Sequence, residues 1–133
     1  MSKRVFLVTG ATSGIGKALA FELAKTGETI LLLARDQEKR NIVYEEIMME
    51  IQNPNVDVLT CDLSSIGSIK NFAEHLKSNH PRIDVLINNA ATVKRERKTN
   101  VDGYEMMFVT NHLGPFLLTH LLLDSLKASG SAR

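Results

Sequence analysis

The stretch LVTGATSGIG, from Leu7 to Gly16, decides the fold, because an apolar run breaks there into a turn that contains three glycines. Gly10, Gly14 and Gly16 follow one another at intervals of four and two residues, and a segment of helical periodicity comes next. A glycine turn between a strand and a helix exposes backbone N–H groups at the positive end of the helix dipole, where anions bind. The stretch therefore predicts a strand, a phosphate-binding turn and a helix.

The spacing of the glycines excludes two common phosphate-binding loops. The loop of nucleoside triphosphatases has the pattern G-x-x-x-x-G-K-[ST], but alanines occupy positions 11 and 18, where its first glycine and its hydroxyl would lie. The dinucleotide fingerprint G-x-G-x-x-G fails because its first two glycines are only two residues apart. The pattern that remains is T-G-x-x-x-G-I-G, formed by Thr9, Gly10, Gly14, Ile15 and Gly16.

On either side of this turn, apolar runs alternate four times with segments of helical periodicity. Runs that are continuous rather than alternating are typical of parallel strands covered on both faces. The alternation predicts an α/β fold, in which a doubly wound parallel sheet of four strands carries helices on both faces in one domain over residues 1–133. The predicted strands are Val5–Val8, Thr29–Leu33, Val56–Leu59 and Asp84–Ile87.

Capping residues and apolar stripes predict where the helices begin. The first helix is expected from Gly14 to about Thr26, the second after Asp36 as N-cap, and the third at Ser65. The sequence Asp102-Gly103-Tyr104-Glu105 resembles a capping box for the fourth helix. The apolar stripe of that helix is predicted to be core, and it consists of Met106, Val109, Leu113, Phe116 and Leu117.

The composition is that of an ordinary soluble globular protein. The 133 residues carry a net charge of +1, so no global field attracts nucleic acid or a membrane surface, and no apolar run is long enough for a membrane span. Cys61 is the only cysteine, which excludes an internal disulfide and a cysteine-based metal site and favours the cytoplasm. The cluster Lys94-Arg95-Glu96-Arg97-Lys98 is interpreted as a solvated loop, with contact to a phosphate or an acidic partner as the alternative.

Three further motifs follow the glycine turn in order. Cys61-Asp62-Leu63 comes after the third strand, Asn88-Asn89-Ala90-Ala91 closes the fourth, and the helical stretch Thr99–Leu123 contains Asn111. Together with T-G-x-x-x-G-I-G, this set resembles the short-chain dehydrogenases/reductases over almost the whole chain, and it is most similar to their retinol dehydrogenase-like members. The resemblance implies a Rossmann-type fold, a nicotinamide dinucleotide cofactor, and hydride transfer between an alcohol and a carbonyl compound.

The resemblance also implies roles for single residues. Asp62 would accept a hydrogen bond from the adenine amino group, although a turn or capping role is the alternative. Asn111 would be the catalytic asparagine, and Ala91 stands where the family has glycine, which crowds the backbone beside the cofactor ribose. The implied cofactor-binding residues are Thr9, Gly10, Thr12, Ser13, Gly14, Ile15, Gly16, Arg35, Asp62, Leu63, Asn89, Ala90 and Ala91.

Pro115 gives Asn111 a special position without reference to any family. Proline has no N–H, so it cannot donate to the carbonyl four residues earlier, which is that of Asn111. A freed carbonyl within a helix invites a water or a kink. In the family, the corresponding carbonyl is thought to hold a water of a proton relay. The alternative is that Gly114 and Pro115 only bend a packing helix.

The end of the second strand bears on the choice of cofactor. An arginine there suits the 2′-phosphate of NADP, whereas an acid would bond the ribose hydroxyl of NAD. Arg35 and Asp36 offer both possibilities. Because Asp36 is expected to cap the second helix, the sequence favours NADP, with NAD as the alternative.

One part of the family pattern has no match in the sequence. The family relies on a Tyr-x-x-x-Lys pair beyond the fifth strand, but Tyr44 is followed four residues later by Met48, and Tyr104 by Phe108. We therefore expect the cofactor-binding half of an oxidoreductase, incomplete at its carboxyl end and inactive alone. The alternative is a non-catalytic NADP-binding or sheet-pairing module. Because the sequence offers no fifth strand, we expect the fourth strand to be an open apolar edge of the sheet, which predicts self-association.

Overall fold

The computed structural model describes residues 2–133, and its centre is a four-stranded parallel sheet of order β3-β2-β1-β4. The strands are β1 (Val5–Thr9), β2 (Thr29–Ala34), β3 (Val56–Thr60) and β4 (Val85–Ile87). All four predicted strands are confirmed, each to within one residue at either end. The helices are α1 (Gly14–Ala24), α2 (Gln37–Glu50), α3 (Ile66–Asn79), α4 (Met106–Phe108), α5 (Gly114–Leu121) and α6 (Leu123–Lys127), with a π-helical turn at Val109–Leu113 between α4 and α5.

The sheet separates two apolar layers. Val8 of β1 packs in the layer that includes residues of α1 and α2, whereas the adjacent Leu7 packs in the layer that includes residues of α3 and α5. Successive side chains of a strand point to opposite faces, so a strand covered on both faces must be apolar throughout. Leu7 and Val8 are both fully buried, which explains why the continuous apolar runs predicted the strands correctly.

The order of the strands determines where a ligand can enter. From β1 the chain builds outward through β2 to β3, and it then returns to place β4 on the other side of β1. In such sheets a crevice opens at the carboxyl ends of the strands, where the direction of winding reverses. Thr9 and Ile87, the last residues of β1 and β4, lie at this point.

The predicted cap of α2 and the predicted start of α3 are both confirmed. At the start of α2, Asp36 Oδ1 accepts a hydrogen bond from the Lys39 N–H at 3.0 Å. At the start of α3, Ser65 Oγ accepts from the Ser68 N–H at 3.2 Å. Both side chains satisfy a backbone donor that has no partner within its helix.

The predicted capping box of the fourth helix is wrong. Asp102 and Gly103 lie instead in a tight turn, where Gly103 has a φ of +85° and Asn100 Oδ1 accepts from the Asp102 N–H. Helix α4 begins later, and its N-cap is Glu105, whose carboxylate accepts the N–H groups of Met107 at 3.0 Å and Phe108 at 2.8 Å. The sequence pattern misleads because turns and caps use the same short polar side chains.

The apolar stripe of this helical segment is only partly buried. Val109 is fully buried as predicted, but Phe116 is 66% exposed, which corrects its assignment to the core. Leu118 takes a fully buried position instead. The π-helical turn at Val109–Leu113 adds a residue to one turn, so the face that meets the sheet moves relative to a regular helical stripe.

The outer edge of β4 is not fully open, contrary to expectation. The Leu86 N–H donates to the Arg133 carbonyl at 2.9 Å, and the Arg133 N–H donates to the Asp84 carbonyl at 3.1 Å. This alternation is the hydrogen-bond pattern of a parallel ladder. The chain therefore lies against β4 at Arg133, and the prediction of an exposed edge is wrong for Asp84 and Leu86.

Candidate functional site

A cleft of about 460 Å³ opens at the carboxyl ends of the strands. Its volume lies within the range of small-molecule sites. Twelve of the fourteen residues that the sequence singled out line it, whereas Gly14 and Asn111 do not. Further lining residues that sequence reasoning did not place in the site include Lys39, Cys61, Thr92, Met106 and Thr110. Lys94, for which contact with a phosphate was the alternative to a solvated loop, also lines the cleft.

The glycine turn between β1 and α1 is packed against the connection that follows β4. A Cβ atom on Gly16 would overlap the Gly10 carbonyl oxygen and Asn89 Nδ2, and a Cβ on Gly10 would lie 2.7 Å from Ala90 Cα. Gly10 also has a φ of +66°. Gly14 has a φ of +53° but open space around it, so only its backbone conformation favours glycine.

Two polar side chains hold these segments together. Thr9 is 1% exposed, and its Oγ1 accepts the N–H groups of Asn89 and Ala90, both at 3.0 Å, while donating to the Ile87 carbonyl at 3.3 Å. In return, Asn89 Nδ2 donates to the carbonyls of Thr9 at 3.2 Å and Gly10 at 3.1 Å. Asn89 therefore braces the turn in addition to lining the cleft.

The amino end of α1 can accept an anion. This helix of eleven residues has no acidic side chain in its first turn, and its N-cap Ser13 makes no side-chain capping hydrogen bond. Both Ser13 and Thr12 line the cleft, so their hydroxyl groups are available beside the unpaired backbone donors of the helix. The turn thus fits a pyrophosphate by the charge of the helix end and by its donors.

The end of β2 gives the cleft a positive charge. The carboxylate of Asp36 is engaged as the cap of α2, as described above. Arg35 and Lys39 line the cleft, and neither forms an ion pair within 4.0 Å in the part of the chain that the structure describes. Sequence reasoning did not identify Lys39 as a residue of the site. Its position in the first turn of α2, a helix that starts at the cleft, could have indicated it.

The turn after β3 is stabilised by Asp62. Its Oδ1 accepts from the Ser64 N–H at 2.9 Å and from Ser64 Oγ at 2.6 Å. One oxygen of the Asp62 carboxylate therefore stabilises the turn, which was the alternative to binding adenine. The neighbouring Cys61 is buried, and burial raises the pKa of its thiol to about 11, so the thiol stays protonated and unreactive at neutral pH.

Asn111 lies on the π-helical turn and is bound to the connection after β4. Its Nδ2 donates to the Thr92 carbonyl, and its Oδ1 accepts the Thr92 N–H, both at 2.8 Å. The helix departs from regular α geometry directly before Pro115, because the Gly114 N–H bonds the Val109 carbonyl five residues back. Thr92 and Thr110, on either side of this contact, line the cleft.

The structure of residues 2–133 also bears on two other kinds of site, a metal site and a membrane-spanning helix. No three His, Cys, Asp or Glu side chains of this range come together as a metal site would require. His112 and His120 instead stack on Phe108 and Phe116, with ring centroids 5.3 and 6.3 Å apart. None of the helices described has the length and apolar character needed to cross a membrane.

Comparison with known proteins agrees with the geometry of the cleft. The family model for short chain dehydrogenase matches residues 4–133. Retinol dehydrogenase 13 of Mus musculus is 46% identical over 130 residues, which is 98% of this chain and 39% of the relative. Retinol dehydrogenase 11 of Homo sapiens is 45% identical over 98% of this chain and 41% of the relative.

The fold is equally close to that of solved structures. A metagenomic short-chain oxidoreductase in complex with NADP superposes with a TM-score of 0.84 at 31% identity, covering 98% of this chain and 59% of that one. The present chain thus spans about two fifths of the curated relatives and rather more of this structure. The family consists of oxidoreductases whose fold binds a nicotinamide dinucleotide. This chain belongs to the short-chain dehydrogenase/reductase family and resembles its retinol dehydrogenases.

Proposed function

We propose that the protein is an NADP-dependent oxidoreductase that transfers hydride between an alcohol and a carbonyl compound, and that this chain supplies its cofactor-binding half. The observation that carries the proposal is that the glycine turn and the ends of β2, β3 and β4 contribute to one cleft. The chain spans 39% and 41% of the two retinol dehydrogenases. Because it contains no Tyr-x-x-x-Lys pair, we assign cofactor binding rather than turnover to these 133 residues.

Different residues of the cleft would contact different parts of the cofactor. Backbone N–H groups at the start of α1, with the Thr12 and Ser13 hydroxyls, would hold the pyrophosphate. Asp62 retains a second carboxylate oxygen for the adenine amino group. The bound cofactor supplies or accepts the hydride, and Asn111 would orient the reacting end through its contact with Thr92.

NADP is favoured over NAD by the charges at the end of β2. Asp36 also lines the cleft and would be the competitor that selects NAD, but its Oδ1 accepts the Lys39 N–H as a helix cap, and two cations lie beside it. Arg35 and Lys39 line the cleft without an ion pair in the described residues, so both can approach a 2′-phosphate. The second cation, Lys39, strengthens the preference that Arg35 alone suggested.

Calorimetric titration with NADPH and NADH tests this assignment. We expect Arg35→Ala and Lys39→Ala each to weaken NADPH binding by roughly tenfold, because each removes a charged hydrogen bond to the 2′-phosphate. Binding of NADH, which lacks that phosphate, should change little. Lys70→Ala, at an exposed position outside the cleft, serves as the control. Equal affinity of the unmodified chain for the two cofactors would contradict the preference for NADP.

The assignment of binding without turnover needs a separate test. The chain is mixed with NADPH and a panel of aldehydes that includes retinal, and the absorbance of the reduced cofactor is followed. We expect cofactor binding but no oxidation, since no phenol with a neighbouring lysine is available as proton donor. Measurable oxidation would show that these 133 residues contain a complete catalytic site.

A non-catalytic NADP-binding or sheet-pairing module is the second candidate. Arg133 already bonds β4 at Asp84 and Leu86, which disfavours pairing of another chain at those residues. We still propose self-association, supported by the exposed Phe116 and Leu123 on the α5–α6 side. Sedimentation should show a dimer or larger species that Phe116→Ser dissociates, whereas Met49→Ser, at an exposed residue of α2, should not.

We also propose the cytoplasm as the location of the protein. The proposal is supported by Cys61, a buried thiol without a partner cysteine, which suits a reducing compartment. Fractionation of cells that express the full-length protein would test it. Recovery only from a secreted or organellar lumenal fraction would contradict it.

A further inference from the structure

The segment 93–104, here called the cationic rim, lies at the mouth of the cleft, and hydrogen bonds attach it to the rest of the protein. Lys94 lines the cleft, and its N–H contacts Met107 Sδ at 3.3 Å. The Met106 N–H donates to the Lys98 carbonyl at 2.8 Å, and Asn100 Nδ2 donates to the Ser64 carbonyl at 2.7 Å. The rim is therefore anchored to the body of the protein by its backbone and by the Asn100 side chain, whereas residues 93–99 are exposed.

The rim concentrates positive charge in a protein whose net charge is close to zero. Lys94, Arg95, Arg97 and Lys98 are all exposed, and only Glu96 opposes them within residues 94–98. These five residues carry a charge of +3, from four cations and one anion, against +1 for the entire chain. Among the described residues, none of the four cations forms an ion pair within 4.0 Å. Arg97 also acts electrostatically on Glu105 and helps to lower the pKa of that carboxylate, so the other three cations carry most of the charge that is available to an external anionic partner.

Apolar side chains flank these cations and are equally uncovered. Val93 is 89% exposed, Val101 is 91% exposed, and Tyr104 is 43% exposed. The two valines precede and follow the cations, so they do not form one continuous groove along the sequence. Isolated apolar side chains beside cations suit a lipid interface, where each can enter the headgroup region separately, better than they suit a shaped protein pocket.

We propose that the cationic rim docks the protein on an anionic lipid surface. Lys94, Arg95, Arg97 and Lys98 would face the lipid phosphates and carboxylates, and Val93 and Val101 would enter the boundary between headgroups and acyl chains. Docking would turn the mouth of the cleft, at Lys94, toward the bilayer. The proposal is independent of cofactor identity and of turnover, and it involves no membrane-spanning helix.

Co-sedimentation with lipid vesicles tests the charge contribution. The full chain should bind vesicles of phosphatidylcholine with phosphatidylserine, bind poorly to phosphatidylcholine alone, and dissociate as salt is raised. Reversal of three rim charges, R95E/R97E/K98E, should lower partitioning at least tenfold. The matched control K3E/K70E/K127E changes three exposed lysines outside the rim by the same total charge and should retain binding. Far-ultraviolet circular dichroism and urea unfolding of both variants show whether each remains folded.

Two outcomes of this experiment would overturn the proposal. Absence of binding to the anionic vesicles would do so directly. An equal loss in R95E/R97E/K98E and in K3E/K70E/K127E would do so as well, because the attraction would then follow net charge rather than the rim.

A fluorescent reporter tests insertion. The chain contains no tryptophan, so V101W introduces a single reporter in the rim, and M49W places one at a position of α2 that is 81% exposed. Anionic vesicles should shift the emission of V101W to the blue and leave that of M49W unchanged. A shift of V101W with soluble poly-glutamate but not with vesicles would overturn the lipid proposal in favour of an acidic protein partner.

Discussion

The glycine turn at residues 10–16 and the connection at residues 88–105 line the same cleft, but different forces determine them. The turn is short, and its conformation depends on which positions lack a side chain. The connection is long and irregular, and it is held by contacts with Thr9, Ser64, Met107 and Asn111. A cofactor site can thus combine one part that local geometry specifies with another that needs the remainder of the fold.

The two regions are also interdependent. Gly10 and Gly16 must be glycines because Asn89 and Ala90 of the connection lie against them. Conversely, Asn89 and Ala90 donate their N–H groups to Thr9 at the start of the turn. Substitutions that remove either the close packing of the glycines or the hydrogen bonds of Thr9 test how far the two regions depend on each other.

The largest effect is expected from Gly16→Ala. The added Cβ would overlap the Gly10 carbonyl and the braced Asn89 amide, neither of which can move freely, so unfolding in urea should show a loss of about 3 kcal/mol. Cofactor binding should be lost as well. Gly67→Ala is the control, since a Cβ there meets no atom within 4 Å and a helical alanine should add up to about 1 kcal/mol. Similar stabilities for the two variants would contradict this account of the turn.

Thr9→Val should have the next largest effect. The substitution keeps the shape but removes the acceptor of the Asn89 and Ala90 N–H groups, which we expect to cost about 2 kcal/mol. Hydrogen exchange of these two amides should accelerate more than exchange in α2. Thr9→Ser keeps the hydroxyl and should preserve their protection. Unchanged exchange in Thr9→Val would mean that the brace does not order the connection.

Asn111→Ala should affect the connection alone. It removes both hydrogen bonds to Thr92, an exposed pair whose loss we expect to cost about 1 kcal/mol. The amide of Thr92 should exchange faster, whereas amides of the glycine turn should not change. Asp124→Ala, at an exposed position of α6, is the control. Faster exchange throughout the turn would show that the two regions are not separable at this contact.

The smallest effect is expected from Glu105→Gln, and it depends on pH. The N–H groups of Met107 and Phe108 lower the pKa of Glu105 below its ordinary value of 4.5. A lowered pKa in the folded state stabilises the protein fully above that ordinary value, and the stabilisation is lost as the pH falls through the lowered pKa. Urea midpoints should therefore differ between Glu105→Gln and the unmodified chain at neutral pH and converge in acid. Asp84 and Glu28, whose pKa values are also lowered, are present in both proteins, so their contributions cancel. A constant difference across the pH range would contradict the carboxylate cap.

The predictions from sequence succeeded where few neighbouring residues decide the structure. Continuous apolar runs identified all four strands, because both faces of the sheet are covered. Asp36 was assigned correctly as a cap and Ser65 as the start of α3, because each side chain bonds an N–H only three residues away. Twelve of the fourteen candidate site residues line the cleft, since the glycine turn and the strand ends converge in any sheet of this order, and their roles stay predictions.

The predictions from sequence failed where contacts with other segments determine the local structure. Asp102 was taken for a cap because its distance from Glu105 fits a capping box, but Asn100 organises that stretch as a turn. Phe116 was assigned to the core because a regular helix was assumed, and the π-helical turn changes which face is covered. Lys39 was overlooked, because its approach to the cleft depends on how α2 leaves β2.

The sequence by itself determined the strands, the glycine turn, the cap of α2, the start of α3 and the family of this protein. These features depend on side-chain periodicity and on backbone freedom, which act over a few residues. Only the tertiary structure decided that Thr9 and Asn89 lock the turn to the connection, that Glu105 caps α4, and that Arg133 lies along β4. Those contacts join residues far apart in the chain or choose between equivalent polar groups, so their energies exist only once the sheet has assembled.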